Sequence, residues 1–126
     1  MVSVKRLNLD SSWHISFDSN KFIIDPWLLG SEIDGFKWLN QQWHIKKPVE
    51  IRKIPDYDYI LISQNYEDHC HLETLKKLPE GKPLLATEKA FKKLKKNFPN
   101  RNVILLNEDS ETNFNGLSFI SLKPDK

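Results

Sequence analysis

Asp68, His69 and His71 lie within four positions of one another, with Cys70 between the two imidazoles. A carboxylate and imidazoles on one short segment suit zinc, iron or manganese, and a catalytic ion also needs one open position for water. Tight sites take three or four protein donors, so Asp68 and His69 alone are too few. Two readings stand for His71: it adds a third donor, or it starts the following helix and faces solvent. Cys70 also has two. Charged neighbouring imidazoles would lower its thiol pKa, whereas a small buried residue beside a helix start would be inert. Burial is the expectation, since adjacency alone does not make a His–Cys dyad.

These side chains need a rigid support. Tyr59 to Ile62 is a continuous apolar run, the pattern of a strand covered on both faces in a parallel sheet. The ends of such strands are where α/β folds gather ligands. Residues 12–25 predict a hairpin. Trp13, Ile15 and Phe17 alternate with Ser12, His14 and Ser16, Asp18 to Asn20 supply the turn, and residues 21–25 return. Val4 to Leu9 is expected as a preceding strand. Pro26 cannot donate to a ladder, so the return strand should stop at Asp25 and leave its carboxylate at a strand terminus.

Residues 27–56 show little periodicity. A short helix opening at Ser31 and running through Phe36, Trp38 and Leu39 is expected, as is a strand-like stretch at residues 49–51. Trp27, Trp38 and Trp43 should pack over the sheet, His14 is read as structural, and His44 as a loop residue. After the histidine loop, Leu72, Leu75 and Leu78 share a helical face that Pro79 to Gly81 terminates. A strand follows at residues 83–86, then a helix capped by Thr87 with Phe91, Leu94 and Phe98 inward and lysines opposite. A strand at residues 102–106 and a hairpin turning at residues 113–116 complete the chain. The order predicts an α/β fold, a mixed sheet with helices on one side, in a single domain spanning residues 1–126.

Composition sets limits. The 126 residues, 39% hydrophobic and 29% charged, are those of an ordinary globular chain. No stretch approaches eighteen apolar residues, so no membrane partner is expected. A single cysteine excludes an internal disulfide and fits a reducing cytoplasm. A net charge of +2 is too small to argue for nucleic acid. The helix bearing Lys89, Lys92, Lys93, Lys95 and Lys96 is read as a solvated amphipathic face, because no helix-turn-helix or aromatic-interleaved signature accompanies it.

Three segments carry a resemblance: Ser12 to Trp27 with its Asp25-Pro26 ending, the strand Ile60 to Ser63, and Asn65 to Leu75. Together they resemble the N-terminal half of the metallo-β-lactamase fold, nearest the ascorbate-6-phosphate lactonase-like hydrolases. The fold implied is half of an αββα sandwich. The family loop reads His-x-His-x-Asp-His, and here Gln64 and Tyr66 occupy the first two histidine positions while Asp68 and His69 are kept. The resemblance implies that Asp68 and His69 are the surviving ligands of the second metal position. Asp25 would then orient the loop from behind by hydrogen bonding, the other reading being a cap on the Pro26 turn. Gln64 and Tyr66 lack the imidazole nitrogen that zinc prefers, but both can hydrogen-bond a substrate or a metal-bound water.

The expected function is metal-dependent hydrolysis of an ester, lactone or phosphoester, a small-molecule substrate, with Asp68 as the catalytic residue. The alternative is a non-catalytic binding or scaffold module that needs a second copy, a second polypeptide or a C-terminal half. The family's remaining ligands come from that half, and no histidine follows His71.

Overall fold

A computed structural model describes residues 1–33 and 36–122. Ten strands and two helices occur among them: β1 (Val2–Arg6), β2 (Trp13–Phe17), β3 (Asn20–Ile24), β4 (Glu32–Ile33), β5 (Gln41–Gln42), β6 (Tyr59–Ile62), α1 (Leu72–Lys77), β7 (Leu84–Thr87), α2 (Glu88–Asn97), β8 (Val103–Leu106), β9 (Glu111–Phe114) and β10 (Leu117–Ile120). Six strands form one sheet in the order β1-β2-β3-β6-β7-β8. The first three are antiparallel, and β3, β6, β7 and β8 run parallel. This is the predicted mixed sheet.

Both helices cover one face. Leu75 and Leu78 at α1, with Ala90 and Leu94 of α2, pack on Ile23, Ile60, Ile62, Leu84 and Ala86 in one buried cluster. Tyr59 and Leu85 point the other way, because successive strand residues alternate faces. Over them lies the β9–β10 hairpin, whose Phe114 and Phe119 meet Tyr59 edge-on at 5.5 and 6.3 Å. Asn115 and Gly116 take φ of 48° and 76°, the left-handed pair that a two-residue hairpin turn requires. Among the described residues, no helix is long and apolar enough to cross a membrane.

The pairing Phe17↔Asn20 and Trp13↔Ile24 sets the predicted hairpin, but its burial differs from expectation. His14 is buried and its Nε2 lies 3.0 Å from the Asp56 carbonyl, whereas Phe17 is 42% exposed. The apolar positions of β1 and β2 lie on the hairpin side of the sheet, and β9–β10 packs over Phe22, Tyr59 and Leu85. Val2 and Val4 are therefore exposed as well.

Several other boundaries move. The first strand stops at Arg6 rather than Leu9. The expected helix at Ser31 is replaced, in the described residues, by the β4–β5 pair and a turn in which Leu39 and Asn40 both donate to the Phe36 carbonyl; residues 34 and 35 lie outside the described ones. Residues 51–53 form a single 3₁₀ turn instead of a strand. Only Trp27 of the three loop tryptophans is buried; Trp38 and Trp43 are 82% and 67% exposed. Thr87 stands at the N-cap of α2 without capping it, because its Oγ1 donates to the Ser63 carbonyl at 2.8 Å.

Candidate functional site

The carboxyl end of β3 and the loop after β6 meet at the candidate site. Asp25 follows β3 with φ of 45°, a left-handed conformation that aspartate tolerates better than most residues. Its backbone N–H donates to the Leu61 carbonyl of the neighbouring strand at 2.9 Å. That twist places a buried carboxylate beneath the histidine loop. Oδ1 accepts from the Ser63 N–H at 2.7 Å, and Oδ2 accepts from the Ser63 hydroxyl and lies 2.7 Å from His69 Nδ1. A carboxylate here accepts, so the imidazole carries its proton on Nδ1 and presents Nε2 outward.

Asp68 stands beside that open nitrogen, its Oδ2 3.5 Å from His69 Nε2, with both side chains about three-quarters buried. The hydrogen bond to Asp25 raises the His69 pKa above its ordinary value, with the charges of Asp25, Asp68 and Asp10 adding to it and partial burial opposing it.

A clamp that sequence reasoning missed holds these groups in register. The Asn8 side chain accepts from the N–H groups of Asp10 and Ser12 and donates to the Trp27 carbonyl, each at 2.9 Å. Ser11 Oγ donates to the Asp68 carbonyl and Ser12 Oγ to the Asp25 carbonyl, both at 2.7 Å. Residues 8–12, Asn-Leu-Asp-Ser-Ser, are turn formers whose side chains bond to backbone. That composition is the available signal; only Asn8 and Leu9 fall in the expected first strand, and Ser12 in the expected hairpin.

His71 is not brought to the pair, which corrects its expected role as a third metal donor. It is the N-cap of α1: Nδ1 accepts from the Thr74 N–H at 3.3 Å and meets Thr74 Oγ1 at 3.0 Å, while Nε2 lies 3.3 Å from the Ser31 carbonyl. Both ring nitrogens are therefore occupied by protein. Nor does the ring face solvent. It is buried, and burial lowers its pKa.

Removing this cap by His71→Ala should cost about 0.5–2 kcal/mol of unfolding free energy. The cost should also depend on pH. The unfolded imidazole binds a proton below about 6.5, while the folded one, its pKa depressed, resists it. Its contribution is therefore present above that pH and declines as pH falls through the window below it. Urea melts at pH 7.5 and 5.5 should show a smaller penalty for His71→Ala at the lower pH.

Cys70 is fully buried, and burial pushes its thiol up to about 12. The inert reading holds, and no nucleophilic role falls to it. Among the described residues, the side chains of Gln64 and Tyr66 make no hydrogen bond to Asp25 or His69; they line a hollow of about 230 Å³ together with Asn65, Lys89 and Ser63, the residue that donates to Asp25.

A metal centre can be tested against this donor set. His69 has the arrangement common to metal-binding histidines, one nitrogen held by a carboxylate and the other open. Yet no group of three or more His, Cys, Asp or Glu side chains converges among the described residues. Asp68 and His69 do not fit a metal ion by themselves.

Comparisons with known proteins bear on the fold. A family profile described as beta-lactamase superfamily domain matches residues 9–125. Among solved structures, the isothiocyanate hydrolase from Delia radicum gut bacteria is similar with a TM-score of 0.68 and 19% sequence identity, over 92% of this chain and 44% of that one. At that identity the likeness shows the fold, and this chain spans less than half of that hydrolase. No curated protein matches the chain.

Proposed function

We propose, from the premise that the chain belongs to the beta-lactamase superfamily, that it supplies one wall of a hydrolytic site for an ester, lactone or phosphoester. The observation that carries this reading is the 2.7 Å contact of Asp25 with His69 Nδ1, which leaves Nε2 open beside Asp68. Asp25 fixes the tautomer and raises the basicity of the ring. Nε2 then takes a proton from a water that attacks the carbonyl carbon or phosphorus. The bond to the leaving oxygen breaks, and the imidazolium returns the proton to that oxygen; the Asp68 carboxylate holds the water or the imidazolium. Within the superfamily, the Asp25-Pro26 ending and the Asp68-His69 pair favour the ascorbate-6-phosphate lactonase-like hydrolases.

A divalent ion, zinc first and iron or manganese next, belongs to this proposal only if further polypeptide adds donors to Asp68 and His69, so no step is assigned to it. A second reading, a non-catalytic module, is favoured by Gln64 and Tyr66 at the two histidine positions and by the exposed Val2, Val4 and Phe17. Such a module would seat a second copy or a second polypeptide on that apolar surface.

The two readings separate by turnover. The hydrolytic reading expects cleavage of a p-nitrophenyl ester, a lactone or bis(p-nitrophenyl) phosphate that is lost in His69→Ala. It expects less than one equivalent of zinc, iron or manganese in the isolated chain. A folded chain inert on all three substrates would sink it and leave the module.

A further inference from the structure

Two adjoining hollows open at the carboxyl ends of β6 and β7, sharing Ser63, Thr87 and Ser121. The first, about 230 Å³, holds the polar side chains: Gln64, Asn65 and Tyr66 line it beside Leu122, with Lys89 and Glu108 as its charged members. The second, about 160 Å³, is walled by Leu61, Leu106, Phe119 and Ile120. The floor they share is fixed by the Thr87 hydroxyl on the Ser63 carbonyl. Ser63 also donates twice to Asp25, the carboxylate that holds His69. The junction of the hollows is therefore one carboxylate away from the proposed base.

The two linings differ in chemistry in the way the two ends of an acyl compound differ. Carboxamides and a phenol are neutral hydrogen-bonding groups, and the two charged members are of opposite sign, so the polar hollow favours an uncharged head over an ion. The other hollow offers aliphatic and aromatic walls. At about 30 Å³ for each water-sized group, it has room for roughly five carbons. Ligand sites in open α/β sheets gather at this end of the strands, as apolar clefts with a few placed polar groups.

We infer that this crevice binds a short-chain acyl group, its chain between Leu61 and Phe119 and its uncharged carbonyl head against Gln64 and Asn65. The inference rests on the hydrolytic reading only for the choice of an acyl carbonyl as the head. It names the substrate as a neutral acyl ester or amide with a chain of about four to six carbons, on the volume just given.

The test is binding without turnover. Acetamide, butanamide and hexanamide are titrated into the ¹⁵N-labelled chain and followed by backbone amide shifts. Affinity should rise by about threefold to fourfold for each added methylene, with the shifts centred on Ser63, Thr87 and Phe119. Gln64→Ala should weaken all three amides alike, and Phe119→Ala should weaken hexanamide at least tenfold while leaving acetamide unchanged. Phe119 also packs on Tyr59. Should that variant fail to fold, Ile120→Asp, at a residue 64% exposed, must abolish the gain with chain length. Equal affinity for acetamide and hexanamide, or no saturable shift with either, overturns the inference. Chain-length-dependent binding in a protein that cleaves no ester would keep the crevice and remove the hydrolytic reading.

Discussion

His69→Ala should lower kcat/KM for p-nitrophenyl butyrate by about 10²–10⁴-fold, the range for loss of a positioned general base. The substitution removes the ring whose open nitrogen faces Asp68, and nothing else in the described site presents an imidazole there. His71 cannot substitute, since it is committed to Thr74 and Ser31. A base with a raised pKa also fixes the pH profile. Activity should climb with pH through the His69 titration, on a limb displaced above the ordinary histidine value because the Asp25 carboxylate favours the protonated ring. Asp25→Asn keeps the shape and removes that charge, so the limb should move to lower pH. Circular dichroism of each variant would separate loss of chemistry from loss of fold. A His69→Ala chain with undiminished turnover removes the proposed role of the ring.

Asp25→Ala should cost about 3 kcal/mol or more of stability, the largest expected among substitutions at the site. Three donors converge on a side chain that is 4% exposed: the Ser63 N–H, the Ser63 hydroxyl and His69 Nδ1. Truncation leaves them without their acceptor, and each buried unsatisfied polar group costs about 1–3 kcal/mol. The backbone adds to the penalty, because alanine is less at ease than aspartate at φ of 45°. Asparagine tolerates that conformation and keeps one carbonyl oxygen, so Asp25→Asn should cost clearly less. Chemical denaturation of both variants checks the order. Similar small losses would mean that the carboxylate does not anchor the loop.

The part of the architecture set by local pattern was legible in the sequence. Tyr59 to Ile62, Leu75 with Leu78, and Phe91 with Leu94 announce their elements because strand and helix periods differ and each packs on the others. The Asn115-Gly116 turn was legible for the same kind of reason, a backbone conformation few residues adopt. What failed depends on tertiary context. Trp13, Ile15 and Phe17 alternate as a buried strand face should, but burial also needs a covering layer, and β9–β10 packs over the neighbouring strands instead. Thr87 has the right type for a cap, but a strand carbonyl one layer away competes for its hydroxyl.

At the site, the loop bearing Asp68 and His69 could be read from its place after an apolar strand, and Asp25 from its place before Pro26. The fate of His71 could not, because adjacent loop residues diverge and a histidine at a helix start serves as well for capping as for binding metal. The Asn8–Ser12 clamp was hidden for a related reason. Three of its bonds run from small side chains to backbone atoms 13 to 57 residues away, and no periodicity marks such contacts.

The thiol of Cys70, sealed between the two imidazoles in sequence and wholly out of reach of solvent, gives this chain a built-in stopwatch. An alkylating reagent can mark it only when local or wider opening of the chain exposes the segment carrying Asp68 and His69. The labelling rate therefore counts those openings with no engineered probe, and any small molecule that settles against the segment should slow it.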